Sequence, residues 1–215
     1  MPPDLPAALQ SAFTELVLRY TPHTVMAQEL WQELLTGYSD PARHYHNLNH
    51  IAWMLAQLGM VQTAIQDGDA LMFAVFYHDA VYNILQSDNE AQSAELAQAR
   101  LAEIGFPPER IALCCQHILA SQNHEASLHP DTNLFTDADL AILGQPAAVY
   151  QNYAQQIRRE YSVYPDNLYK PGRAQVLMRL LAMPAIFKTA YFHDQYETQA
   201  KTNLSAELAA LSAAP

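Results

Sequence analysis

Glycine is scarce in this chain, with six among 215 residues. That argues against a Gly-rich disordered chain or a β-sandwich dense in tight turns. Cysteine is scarcer. The two, Cys114 and Cys115, are neighbours in sequence, so they cannot staple distant segments, and both read as small core residues of a chain kept in a reducing compartment. Positive charge is also in short supply: eleven Lys and Arg stand against twenty-two Asp and Glu, a formal charge of -11. Long-range attraction to duplex nucleic acid or to an anionic membrane is therefore unfavourable, and a small anionic substrate would need a local cation to gather it. No apolar run approaches the roughly 20 residues that span a bilayer, the longest being Ala70 to Tyr77. The start, Met1-Pro2-Pro3-Asp4, lacks a basic region followed by an apolar stretch, so the expected location is the cytoplasm. Apolar residues make up 50% of the chain, enough at this length for one substantial core and a single domain over 1–215.

Helical periodicity dominates. Leu9, Phe13, Leu16, Val17 and Tyr20 recur at three- and four-residue spacings, and Val25, Glu29, Leu30 and Leu34 do so less cleanly, predicting two N-terminal helices. A turn cluster at Gly37 to Pro41 precedes Ile51, Met54, Leu55, Leu58 and Val61, which places His50 in the first turn or so of a third helix. After the break at Gln66 to Asp69, the helix from Ala70 to about Asp79 is apolar nearly all round, the mark of a buried central element. Ser87-Asp88-Asn89-Glu90 has the form of a capping box opening a helix that Gly105 ends, and Pro107-Pro108 begins another running to about Ser121. Gln122 to Asn133 is polar without helical spacing and reads as a loop; Asp137 then begins a short helix ending near Gly144. Pro146 restarts a long helix through Tyr161. Pro165, Pro171-Gly172 and Pro184 punctuate the remaining chain, and an amphipathic helix spans about Tyr196 to Leu211. Strand-period alternation is absent from the sequence, so the expected class is all-α.

His78-Asp79 resists a purely structural reading, because a carboxylate at the end of an all-apolar helix faces a large desolvation penalty unless it is paired or metal-bound. The bland alternative is a C-terminal His favoured by the helix dipole, with Asp79 an exposed turn residue. A His-rich helix start at His44 to His50 precedes the pair, and an Asp at another helix start comes after it. Imidazoles and carboxylates together suit Mn, Fe, Co or Zn in a site with open positions.

Tyr45-His46-Asn47-x-x-His50-Ile51, Phe76-Tyr77-His78-Asp79-Ala80-Val81-Tyr82, Ser87-Asp88-Asn89-Glu90 and Asp137-Ala138-Asp139-Leu140-x-x-Leu143-Gly144, with Ile157-Arg158-Arg159-Glu160-Tyr161 further on, resemble the predicted metal-dependent HD phosphohydrolases of the HD superfamily. The likeness covers roughly residues 38 to 205. It implies an HD-like helical bundle with its core at about 38–145 and C-terminal helices 146–215 packed on it. It also implies that His50, His78, Asp79 and Asp139 ligate a divalent ion, be it Mn, Mg, Co, Zn or Fe. His46, four residues before His50, is the alternative first ligand and otherwise lines the pocket; Asp137 is the alternative to Asp139, although Thr136-Asp137-Ala138-Asp139 also fits a capping pattern. His124-Glu125 falls where some HD enzymes hold a second metal, with His117 a turn or two upstream as a further ligand or pocket residue, and Glu90 could orient a ligand imidazole.

Cations able to face a substrate phosphate are few: Arg43, first by its proximity to His46 and His50, then Arg158, Arg159, Arg173 and Lys188. Tyr150, Tyr153, Tyr161, Tyr164 and Tyr169 could stack on a base or serve as core and rim. The expected activity is metal-dependent hydrolysis of a small phosphate ester such as a nucleotide, with His78, Asp79 and Arg43 at the reacting centre and a homodimer possible. A di-iron oxygenase of the HD type, which needs extra ligands such as His124, and a non-catalytic nucleotide-binding protein are the alternatives.

Overall fold

The structure, a computed structural model, describes residues 4–212. Among them it contains ten α-helices, two short 3-10 helices and no strand, as the periodicity predicts. No helix among the described residues is long and apolar enough to cross a membrane. The chain divides into two compact units, one ending at Thr136 and one beginning at Asp137.

The first unit holds α1 (Leu5–Val17), α2 (Thr24–Tyr38), α3 (Leu48–Gly59), α4 (Gly68–Tyr77), α5 (Asn89–Glu103), α6 (Pro108–Ala120) and most of α7 (Pro130–Leu140). Its hub is α4, buried at Ala70, Leu71 and every position from Phe73 to Tyr77 and packed against α3, α5 and α6. Phe13 of α1 sits among the rings of Trp31, Phe73, Phe76 and Tyr77 at 5.0–6.4 Å between centroids. Each such side chain removed from water stabilises the unit by about 1.5–3 kcal/mol. Helix α4 opens two residues earlier than its apolar run because the Asp67 carboxylate accepts from Ala70 N at 3.0 Å. It closes at Tyr77, with His78 as its C-cap and Asp79 in the adjoining turn.

Three expectations need correction. The capping box at Ser87 does not form: the N-cap of α5 is Asp88, without a side-chain cap bond. Asn89 instead closes the preceding loop, accepting from Asn83 N at 2.9 Å and donating to Asn83 O at 3.0 Å. Secondly, Gln122 to Asn133 is not a loop throughout, since α7 starts at Pro130, where a fixed φ suits the first helical position. Asp131, Thr132 and Thr136 are buried on this helix. Their polar groups bond Gln66 N and Asp67 N, His117 Nδ1 and Thr132 O respectively, so an apolar pattern does not mark it. Thirdly, α9 (Asp166–Ala182) runs through Pro171 and Gly172. Proline removes one backbone bond near the helix start, and Tyr169 and Arg173 on either side are buried.

The second unit consists of a 3-10 turn, Ala141–Gly144, with α8 (Ala147–Glu160), α9 and α10 (Ala190–Ser212). Polar clamps join its elements. Arg173 donates to Glu207 at 2.8 and 3.0 Å, Tyr150 Oη to the same carboxylate at 2.5 Å, and Asn203 Nδ2 to the carbonyls of Leu143 and Gln145 at 2.8 Å each.

Candidate metal centre

His50 owes its place to the start of α3. Asn47 is the N-cap, its side chain accepting from Asn49 N at 2.9 Å, so His50 falls in the first turn with its ring against Tyr45 (centroids 5.0 Å apart) and only 3% of the residue exposed. His78 closes α4, its N–H bonded to Ala74 O and its Nδ1 2.9 Å from Val75 O. A carbonyl only accepts, so Nδ1 carries a proton and Nε2 is the ring nitrogen left facing the site. That Nε2 is 3.2 Å from Nε2 of His50. Asp79 Oδ2 lies 3.1 Å from His78 Nε2 and 3.9 Å from His50 Nε2, so three donors converge within the first unit. Burial alone would raise the Asp79 carboxyl pKa, but the imidazoles of His78, His46 and His50 outweigh it and hold the group well below the usual carboxylate range.

The fourth predicted ligand is placed by helix geometry. In the first unit Phe135 of α7 meets the His78 ring edge-on, 5.7 Å between centroids, and Asp139, four residues on, lies on the same face of that continuous helix. His50, His78 and Asp139 each offer a donor atom within 4.8 Å of the others, and this group could hold a metal ion. The distances fit one: two imidazole nitrogens about 2.1 Å from a shared ion, at angles of about 90–110°, lie about 3.0–3.4 Å apart. The observed 3.2 Å between His50 and His78 falls in that interval.

The neighbours divide by what their polar atoms already do. Asp137 is fully buried, and its carboxylate accepts from Lys188 N (2.9 and 3.0 Å), Thr189 N (2.8 Å) and Thr189 Oγ1 (2.7 Å). It clamps a turn; Asp139, not Asp137, belongs to the three-donor group. His46 lies tilted against Tyr82 with centroids 4.7 Å apart, its ring 5.8 Å from that of His50. Arg43 lies between the Tyr38 and Tyr82 rings and donates to the carbonyls of His46 (3.4 Å), Asp79 (2.5 Å) and Ala80 (3.1 Å). It therefore braces the His78-Asp79 turn from behind. Arg158 is engaged with Asp166 and the carbonyls of Tyr161 and Tyr164 and stacks on Tyr169, while Arg159 is exposed on α8. His117 and His124 are not in the three-donor group; His124 lies in the 122–129 loop with φ 54°. The brace from Val75 is readable from sequence, being three residues before His78 on a helix. The edge contact from Phe135 is not, because polar residues mask the start of α7.

His117 gives this unit a pH dependence. Its ring is wholly buried, stacked on Phe135, with Nδ1 2.9 Å from Thr132 Oγ1. Burial, then repulsion from His129, pushes its pKa from 6.5 down to about 4. The unfolded chain takes up this proton first, so the contribution to stability is complete above about pH 6.5 and is lost as pH falls towards 4. The loss reaches about 3 kcal/mol at most. Urea unfolding of the metal-free chain at pH 7 and at pH 4.5 should show it, and His117→Gln should flatten that pH slope.

No protein-family model, curated protein or solved structure matches this chain.

Proposed function

We propose that this chain is a divalent-metal-dependent phosphohydrolase of the HD type, acting on a small phosphate ester such as a nucleotide. The reading is carried by the facing Nε2 atoms of His50 and His78, 3.2 Å apart, with carboxylates from Asp79 and Asp139 around them. Two neutral nitrogens and two carboxylates are a donor set suited to Mn, Fe, Co or Zn. When bound, such an ion lowers the pKa of a water to near neutral and offsets charge on a phosphoryl oxygen.

The chain's own groups do the rest. The ionised Asp79 carboxylate accepts a hydrogen bond from the attacking water and orients its oxygen towards phosphorus. The new P–O bond forms as the ester P–O bond breaks, and the leaving alcohol takes up a proton, so water and ester become phosphate and alcohol. Val75 O keeps His78 in one tautomer, and Arg43 holds the turn carrying Asp79. The test is to strip the purified protein, reload it with Mn, Co, Mg, Zn or Fe, and assay a generic phosphoester and a nucleotide panel. Cleavage with one metal that disappears in Asp79→Ala supports the reading. Metal binding without cleavage of any substrate would point to a binding protein, and two irons per chain after anaerobic purification to an oxygenase.

A further inference from the structure

Within the first unit, one residue is bonded to both segments that carry the facing imidazoles. Arg43 lies in the turn between α2 and α3, which Asp40 gathers: its carboxylate accepts from Ala42 N at 2.8 Å and its carbonyl from Arg43 N at 2.9 Å. On one side, the Arg43 carbonyl accepts from Asn47 Nδ2 at 3.2 Å, and Asn47 is the N-cap that starts α3 three residues before His50. On the other, the guanidinium donates to the carbonyls of Asp79 and Ala80 at 2.5 and 3.1 Å. Carbonyls at and beyond a helix end have no partner in the helix ladder, so an outside donor decides where this turn sits. Tyr38, the last residue of α2, secures the same end of α4 by donating to Phe76 O at 3.0 Å.

The shape of the cation matters here as much as its charge. Arg43 is buried, and its guanidinium lies 5.1 and 5.2 Å from the ring centroids of Tyr38 and Tyr82. A planar fork held between rings can serve two carbonyls of successive residues, which a single ammonium does less well. Gly37 makes room for this approach: a Cβ there would stand 3.0 Å from Ala80 O and 3.9 Å from Arg43 Nη2. With alanine at 37, Ala80 O would have to give way by a few tenths of an ångström, against the hydrogen bond that Arg43 makes to it.

We infer that Arg43 is the positioning residue of the candidate centre: it couples the start of α3 to the turn after α4, and so sets the spacing of His50 against His78 and Asp79, with Gly37 admitting the close approach. The inference rests on the metal site of the function proposed above, not on the reaction. Zn is titrated calorimetrically into the full chain and its variants, and their Co(II)-loaded forms are compared by visible absorption, which reads the number and arrangement of donors. Arg43→Met should weaken Zn binding about 10–100-fold, the range for a residue that orients a ligand, and alter the Co(II) spectrum; Arg43→Lys should fall between it and wild type. Gly37→Ala gains helix propensity, so its urea midpoint should hold while Zn affinity falls severalfold, a split that mere structural support would not produce. Should Arg43→Met fail to fold, Gly37→Ala, which removes no side-chain donor, carries the test. Wild-type affinity and spectrum in a folded Arg43→Met chain, or in Gly37→Ala where Arg43→Met does not fold, overturns the inference. A wild-type chain that binds Zn but cleaves no ester overturns the phosphohydrolase reading and leaves Arg43 its role. If the wild type binds no metal, the function proposed above falls, and the imidazole 15N resonances of His78 in the metal-free chain still decide: they should move in Arg43→Met, and unmoved they overturn the inference.

Discussion

His78→Ala should abolish tight binding of a divalent ion and, with it, any metal-dependent phosphoester cleavage. The imidazole is the shared point of the centre, its Nε2 3.2 Å from His50 Nε2 and 3.1 Å from Asp79 Oδ2, and it belongs to the group with Asp139. Loss of a residue that merely orients a ligand costs about 10–100-fold in metal affinity, so loss of a donor itself should exceed about 100-fold. His46 provides the contrast, since its ring lies against Tyr82 and it is not in the three-donor group. His46→Ala should reduce metal affinity less than about tenfold, the lower limit for an orienting neighbour. Calorimetric titration with Zn or Mn, alongside metal analysis of the purified variants, measures both. Equal metal affinity in wild type and His78→Ala would sink the metal centre.

The largest expected loss of stability is at Gly144. It ends the 3-10 turn against α10, where a Cβ would meet Tyr196 Cβ at 2.3 Å and the Tyr196 Cα and O at 2.8 Å each. Two of these are backbone atoms, so no rotamer change relieves the clash, and one of the two elements must move. The adjoining carbonyls of Leu143 and Gln145 are both held by Asn203 of α10 at 2.8 Å, so any such shift also strains two hydrogen bonds. Overpacking usually costs about 1–3 kcal/mol, and Gly144→Ala should reach or exceed the top of that range. Gly172→Ala, where no atom lies within 4 Å of the added carbon and the residue is inside α9, should be neutral or stabilising by a few tenths to about 1 kcal/mol. Urea unfolding of the two variants side by side gives the comparison. A Gly144→Ala chain as stable as wild type would mean that the turn and α10 are not held in this close approach.

Much of the all-α class was legible because it depends on spacing. Apolar side chains at three- and four-residue intervals must share a helix face, and an element apolar all round, such as α4, has to be central. His78-Asp79 stood out for a related reason, since a carboxylate ending a buried helix calls for a partner. His50 was placed by the turn before α3, which Asn47 caps.

The choice among near neighbours needed the tertiary structure. Asp137 and Asp139 differ by two positions, and only the backbone N–H groups of Lys188 and Thr189, some fifty residues on, show that Asp137 is already occupied. Arg43 had the right charge and position for a phosphate, yet its donors go to the carbonyls of Asp79 and Ala80. Helix α7 escaped the periodicity because Asp131, Thr132 and Thr136 are buried polar residues whose bonds satisfy them inside the fold. What the sequence by itself determined is what local physics can enforce: the helices made of apolar stripes, and a carboxylate at a buried helix end that calls for a partner. What only the tertiary structure decided is which polar atoms are already satisfied, because a hydrogen-bond partner far along the chain leaves no mark on the pattern of the residues around it.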